Sequence, residues 1–129
     1  MLAIEIKGVH WEDPDPPAAA DGAVRATVAA EIGLRGKEGA DIFHAYVCTP
    51  DWIQERVDAE TVFWPRGHLI VRRLDLEHVT AVLQALARQF AGSRDWGQFA
   101  ERVNRYLCWE FEDYNDYQGD LTPPRLDTH

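Results

Sequence analysis

Apolar and polar positions alternate from the first residues. Leu2, Ile4 and Ile6 are separated by Ala3, Glu5 and Lys7, the two-residue period of a strand with one buried face. Residues 12–22 break the pattern, because Pro14, Pro16 and Pro17 can propagate neither a helix nor a ladder, so a loop is expected. Alternation returns at Val24, Ala26, Val28, Ala30 and Ile32, predicting a second strand. Arg35-Gly36-Lys37-Glu38-Gly39 has the glycine spacing of a hairpin connection, and residues 42–48 supply the returning strand.

The period then changes. Thr49-Pro50-Asp51 forms a helix start, with Thr49 as N-cap, Pro50 at the first helical position and Asp51 favourable to the helix dipole. A short helix through Trp52, Ile53 and Val57 is expected, then the turn Trp64-Pro65-Arg66-Gly67 and a strand over 69–74. Asp75 should cap a longer helix with Val79, Val82, Leu83, Leu86 and Phe90 on one stripe, closed by Gly92. Asp95 should cap another, carrying Trp96, Phe99, Val103, Tyr106 and Leu107. Trp109 and Phe111 alternate with Glu110 and Glu112, which suggests a last strand.

This order predicts an α+β fold: a mainly antiparallel sheet of about five strands with the two longer helices packed on one face. Residues 1–114 are expected to form one domain, and 115–129, with Pro123-Pro124 and few core candidates, a mobile acidic tail. A length of 129 residues with 46% hydrophobic content suits a single core. No apolar run approaches a membrane span and the start lacks signal-peptide character, so a cytoplasmic location is expected. Cys48 and Cys108 are too few for a disulfide framework and are expected to be reduced, packed thiols.

Charge adds a feature that periodicity does not show. The formal net charge is −9, and it sits in two short segments. Residues 12–22 carry four acids and no base, and 106–124 carry five acids and no base. Between them, 23–105 holds 11 acids and 11 bases. Charge placed in this way attracts a basic partner and opposes nucleic acid or an anionic membrane. The second segment also interleaves Trp109, Phe111, Tyr114 and Tyr117 with its acids, a composition suited to an anchored protein–protein contact.

Catalytic and cofactor chemistry finds little purchase. Gly33, Gly36 and Gly39 match no phosphate-binding fingerprint. His10, Glu12 and Asp13, with Asp15, His44 and His68 as further donors, lack the spacing of a zinc or calcium site, so no metal is expected. Ser93 has no motif around it, and on a strand His44 and Cys48 lie about 13 Å apart, too far for a nucleophile–base pair. Arg72 and Arg73 would point to opposite faces of a strand and form no basic patch. The expectation is a chain with no catalytic residues and no cofactor.

Three blocks carry a resemblance: Val47-Cys48-Thr49-Pro50-Asp51-Trp52, Arg66-Gly67-His68-Leu69-Ile70-Val71, and Trp96 through Trp109-Glu110-Phe111-Glu112-Asp113-Tyr114. Together they resemble the immunity protein 8 family of bacterial polymorphic-toxin systems, over roughly residues 1–114. The resemblance implies a small cytoplasmic protein that binds and neutralises a cognate toxin domain, without enzymatic activity or cofactor. A toxin that cuts nucleic acid must carry a basic cleft, which an acidic inhibitor can occupy. The expected partner-binding residues are therefore Glu110, Glu112, Asp113, Tyr114, Asp116 and Tyr117, with Glu12, Asp13 and Asp15 as a second lobe. The competing readings are an interaction module with no toxin partner and, more weakly, a small carboxylate-based hydrolase. Trp52, Trp96, Trp109 and Phe111 are expected in the core, whereas Trp11 and Trp64 sit near turns, where the sequence leaves buried and exposed placements both open.

Overall fold

The computed structural model describes residues 1–14 and 22–111. In chain order the elements are β1 (Ile4–Trp11), β2 (Arg25–Leu34), β3 (Asp41–Cys48), α1 (Pro50–Glu60), β4 (His68–Ile70), α2 (Leu76–Phe90), α3 (Trp96–Val103) and β5 (Cys108–Trp109). The five strands form one sheet in the order β1-β2-β3-β4, with β5 also pairing β3. The pairs β1/β2, β2/β3 and β3/β5 are antiparallel, and β3/β4 is parallel. Since β2 occupies one edge of β3, β4 and β5 share the other: β4 pairs with Tyr46, Val47 and Cys48, β5 with Phe43 and His44. The fold is α+β, with a mostly antiparallel sheet.

One face of the sheet carries the core. Ala26, Val28, Ala30 and Ile32 of β2 and Phe43, Ala45 and Val47 of β3 pack against Val79, Leu83 and Ala87 of α2 and Phe99, Ala100 and Val103 of α3. Strand β1 contributes Ile4 and Ile6, then Val9 and Trp11, which breaks strict alternation. A bulge explains the break. Ile6 opposes Ile32 but Gly8 opposes Glu31, so Lys7 is the extra residue and everything beyond it changes face. Lys7 in turn reaches the carbonyls of Lys37 and Gly39 in the β2–β3 connection.

Several local expectations need correction. Thr49 holds the N-cap position of α1 but its side chain does not cap the helix. Its hydroxyl donates to the Gly22 carbonyl and accepts from Val24 N–H, which fastens the start of β2 to the end of β3. Helix α1 is not short, running 11 residues, yet it buries none of them. The strand expected over 69–74 stops at Ile70, so Arg72 and Arg73 lie beyond it on a bend and the opposite-face argument for them lapses. Helix α2 ends at Phe90 with Ala91 in right-handed conformation as its cap, not on a left-handed Gly92.

Helix α3 stops at Val103, earlier than its stripe suggested, and Tyr106 is 51% exposed. The last strand is only Cys108–Trp109, and Phe111 is 39% exposed rather than core. Asp75 and Asp95 do cap their helices, accepting from Glu77 N–H (3.1 Å) and Gln98 N–H (2.9 Å). Among the described residues no helix is long and apolar enough to cross a membrane.

Candidate partner-binding surface

The face of the sheet opposite α2 and α3 follows from strand alternation and register. It collects His10 of β1, Arg25, Thr27, Ala29 and Glu31 of β2, His44, Tyr46 and Cys48 of β3, and His68 of β4. His10, Ala29 and His44 form one row across three strands. Ala29 is small enough for His44 to reach over β2, and its Nε2 lies 3.2 Å from Glu12 Oε1. His10 Nδ1 stands 4.0 Å from Glu31 Oε2 on the same face.

Towards β4 the face becomes aromatic. The Arg25 guanidinium lies over the Tyr46 ring at 4.5 Å and near the Trp52 ring at 5.3 Å, while Arg56 approaches Trp52 at 5.6 Å. His68 sits among Tyr46, Trp52 and Phe63, with ring centroids 5.1, 5.9 and 5.0 Å away. Its Nδ1 is 3.0 Å from the Arg66 carbonyl, which can only accept, so Nδ1 carries the proton. Nε2 is buried and has no hydrogen-bond partner among the described residues. Trp52 is thus half-buried beneath arginine rather than a core residue.

The roots of the two acidic segments are visible. Glu12 N–H donates to Thr27 O (2.8 Å), and Asp13 Oδ1 accepts from Thr27 N–H (2.8 Å), tying the end of β1 to β2. Glu110 makes the equivalent clasp on β3: its N–H donates to Ile42 O (3.0 Å) and its carboxylate accepts from Ile42 N–H. Each segment therefore starts with an acid spent partly on the backbone. Thr27 pairs with Tyr46, four residues along β3 from Ile42, so the roots stand roughly 13 Å apart along the strand direction. Of the expected binding residues, Glu12 and Glu110 are exposed and Asp13 is half-buried. Asp15, Glu112, Asp113, Tyr114, Asp116 and Tyr117 lie outside the described residues.

Three features escaped the sequence reading: the His44–Glu12 pair, the arginine–aromatic cluster, and Asp41, whose Oδ2 accepts both Trp96 Nε1–H (2.8 Å) and Trp109 Nε1–H (3.0 Å). Trp96 and Trp109 are half-buried against the core, not enclosed by it, and Asp41 satisfies both indoles. The pairing of an acid with two distant tryptophans leaves no mark in any local period.

Ser93 and Cys48 are held by their surroundings. Ser93 Oγ donates to Phe90 O (2.7 Å) and accepts from Arg102 (3.2 Å). Burial pushes the Cys48 thiol above its ordinary pKa, with Arg25 opposing more weakly, which disfavours the thiolate. Among the described residues no three of His, Cys, Asp and Glu converge as metal ligands. A groove of about 450 Å³ between β1 and α2 is lined by Leu2, Ile4, Ile6, Arg35, Gln84 and Arg88 among others, with Glu5 the one carboxylate in its wall.

Comparison with known proteins gives the decisive observation: the family described as immunity protein 8 matches residues 4–114. The chain belongs to the immunity protein 8 family. The match takes in every described strand and helix, together with Glu12, Asp13 and the Glu110 root. No curated protein and no solved structure matches the chain. Family membership supports an immunity role, and with it a cognate toxin protein as the partner.

Proposed function

We propose that this immunity protein neutralises a toxin domain with a basic cleft, of the nuclease type, by occupying that cleft in the cytoplasm. It acts by binding and not by catalysis. The observation that carries the reading is the segregation of charge: nine acids without a base in 12–22 and 106–124, against an electrically balanced middle. A basic, phosphate-binding cleft is the surface such a field attracts most strongly. Glu110, Glu112, Asp113, Tyr114, Asp116 and Tyr117 form the principal contact, and Glu12, Asp13 and Asp15 a second lobe. The clasps of Asp13 on Thr27 and Glu110 on Ile42 support this arrangement, because they hold the first residues of both segments against a rigid sheet.

The test uses the cognate toxin domain, catalytically inactivated for binding and active for protection. Wild-type chain should protect a host from the active toxin. A variant carrying Glu110→Gln, Glu112→Gln, Asp113→Asn and Asp116→Asn should associate more slowly and with a flatter dependence on ionic strength. Unchanged protection with an unchanged salt slope would put the interface elsewhere.

A further inference from the structure

The connection between α1 and β4 presents large apolar side chains to solvent. Trp64 is 83% exposed and Val62 63% exposed, while Phe63 between them turns inward onto Trp52 and His68. An indole left in water contributes little to folding, and this loop is not loose. Thr61 enters it with φ at 75°, the one positive φ of a non-glycine residue among the described residues, and its N–H closes α1 on Val57 O (2.8 Å). His68 N–H donates to Pro65 O (3.0 Å), and Tyr46 N–H donates to Gly67 O (2.8 Å). Arg66 Nη2 donates to Asn104 O (3.1 Å), and its Nη1 lies 3.9 Å from Cys108 Sγ. A strained, multiply fastened loop that displays a tryptophan is a preorganised anchor, the type of residue on which binding energy concentrates.

Its surroundings point to the partner's chemistry. Helix α1 exposes Asp51, Glu55, Asp58 and Glu60, and its single base, Arg56, is paired with Glu60 at 3.0 Å. On the other flank Arg66, an exposed cation of the loop itself, rests on the Asn104 carbonyl at the end of α3 and on Cys108 of β5, two residues before Glu110. The anchor therefore lies between an acidic helix and the root of the acidic C-terminal segment.

We infer that Trp64, with Val62 beside it, is the hydrophobic anchor of the toxin interface, seated in an apolar pocket rimmed by basic residues on the toxin. This rests on the reading of the chain as a toxin-binding protein, and it adds a contact that the charge distribution does not reveal. The α1 acids supply the electrostatic rim on one side, and the tryptophan supplies residence time.

The experiment measures binding of the inactivated cognate toxin domain to wild type, Trp64→Ala and Val62→Lys, alongside the melting temperature of each. Trp64→Ala should weaken binding about 30-fold or more, chiefly through faster dissociation, with an unchanged melting temperature because the ring is already in water. Val62→Lys should weaken it in the same direction while also leaving the fold intact. Trp64→Ala binding within about threefold of wild type overturns the anchor and leaves the toxin-binding reading standing. A loss that tracks loss of folding in both variants also overturns it. Failure of the wild-type chain to bind that toxin overturns both.

Discussion

Asp41 shows how much one carboxylate can organise. Two half-buried indoles, from residues 55 and 68 positions away, each need an acceptor for N–H, and Asp41 serves both. Asp41→Ala leaves two donors without a protein partner and should cost about 2 kcal/mol, read as a shift in urea midpoint at constant slope. Asp41→Asn keeps an acceptor oxygen and should cost less. Gly67 is constrained differently: its φ is 77°, and an added Cβ would stand 2.6 Å from Cys108 Sγ. Gly67→Ala should therefore destabilise by more than about 1 kcal/mol, and adding Cys108→Ala should recover the steric part but not the dihedral part. Asp95 gives a pH signature. Its acceptance of the Gln98 N–H holds its carboxyl below the usual pKa, helped by Arg94 and opposed by slight desolvation. The lowered folded pKa makes this stabilisation complete above the ordinary carboxylate range and lost as pH falls through the folded value. The melting-temperature gap between wild type and Asp95→Ala should accordingly be widest near neutrality and narrow in acid.

At the scale of elements, α1 ends in an unusual way. Thr61 takes a positive φ where glycine is the ordinary choice, and a β-branched side chain makes that costly. Thr61→Gly should stabilise the fold by about 0.5–1 kcal/mol, as relief of strain outweighs added chain entropy, measured by thermal or urea unfolding. The element order was legible in the sequence because β2, β3, α2 and α3 each bury one face, and burial writes a period into the chain. The capping aspartates were legible for a related reason: a cap is a local hydrogen bond and needs only its own residues. Boundaries set by distant contacts were not. The Lys7 bulge depends on register with β2, and the end of β4 at Ile70 depends on running out of partner at Cys48. The stop of α3 at Val103 places Asn104 where its side chain accepts from Trp109 N–H at 2.8 Å, a contact between elements that no local stripe encodes. Of the candidate surface, the acids were legible and their geometry was not. Glu12 meets His44 only because Ala29 lies between them in the assembled sheet.

For the whole molecule, the sheet has two faces in different surroundings. Helices α2 and α3 cover one, and on the other the strands present histidines, carboxylates and an arginine–aromatic cluster beside α1. On the proposed reading, the acidic segments and the Trp64 loop divide the work of recognition by range. A charge acts across about a Debye length, roughly 8 Å at physiological ionic strength, so acids shape the approach of a partner. An indole acts only after contact, once water has left the pocket, so it governs departure. Variants of the two kinds should therefore separate in kinetics rather than merely in affinity. Neutralising Glu110, Glu112, Asp113 and Asp116 together should lower the association rate at low salt, with dissociation nearly constant, and the deficit should close as salt rises. Trp64→Ala should leave the association rate and its salt slope nearly unchanged and accelerate dissociation about 30-fold at every salt concentration. Combining the two sets should give effects that multiply, because long-range steering and short-range anchoring share no contact. Surface-resonance or stopped-flow binding to the inactivated toxin over a salt series measures all three. If Trp64→Ala instead changed the salt slope, or the acid variant changed mainly dissociation, the division of labour between charge and anchor would be wrong.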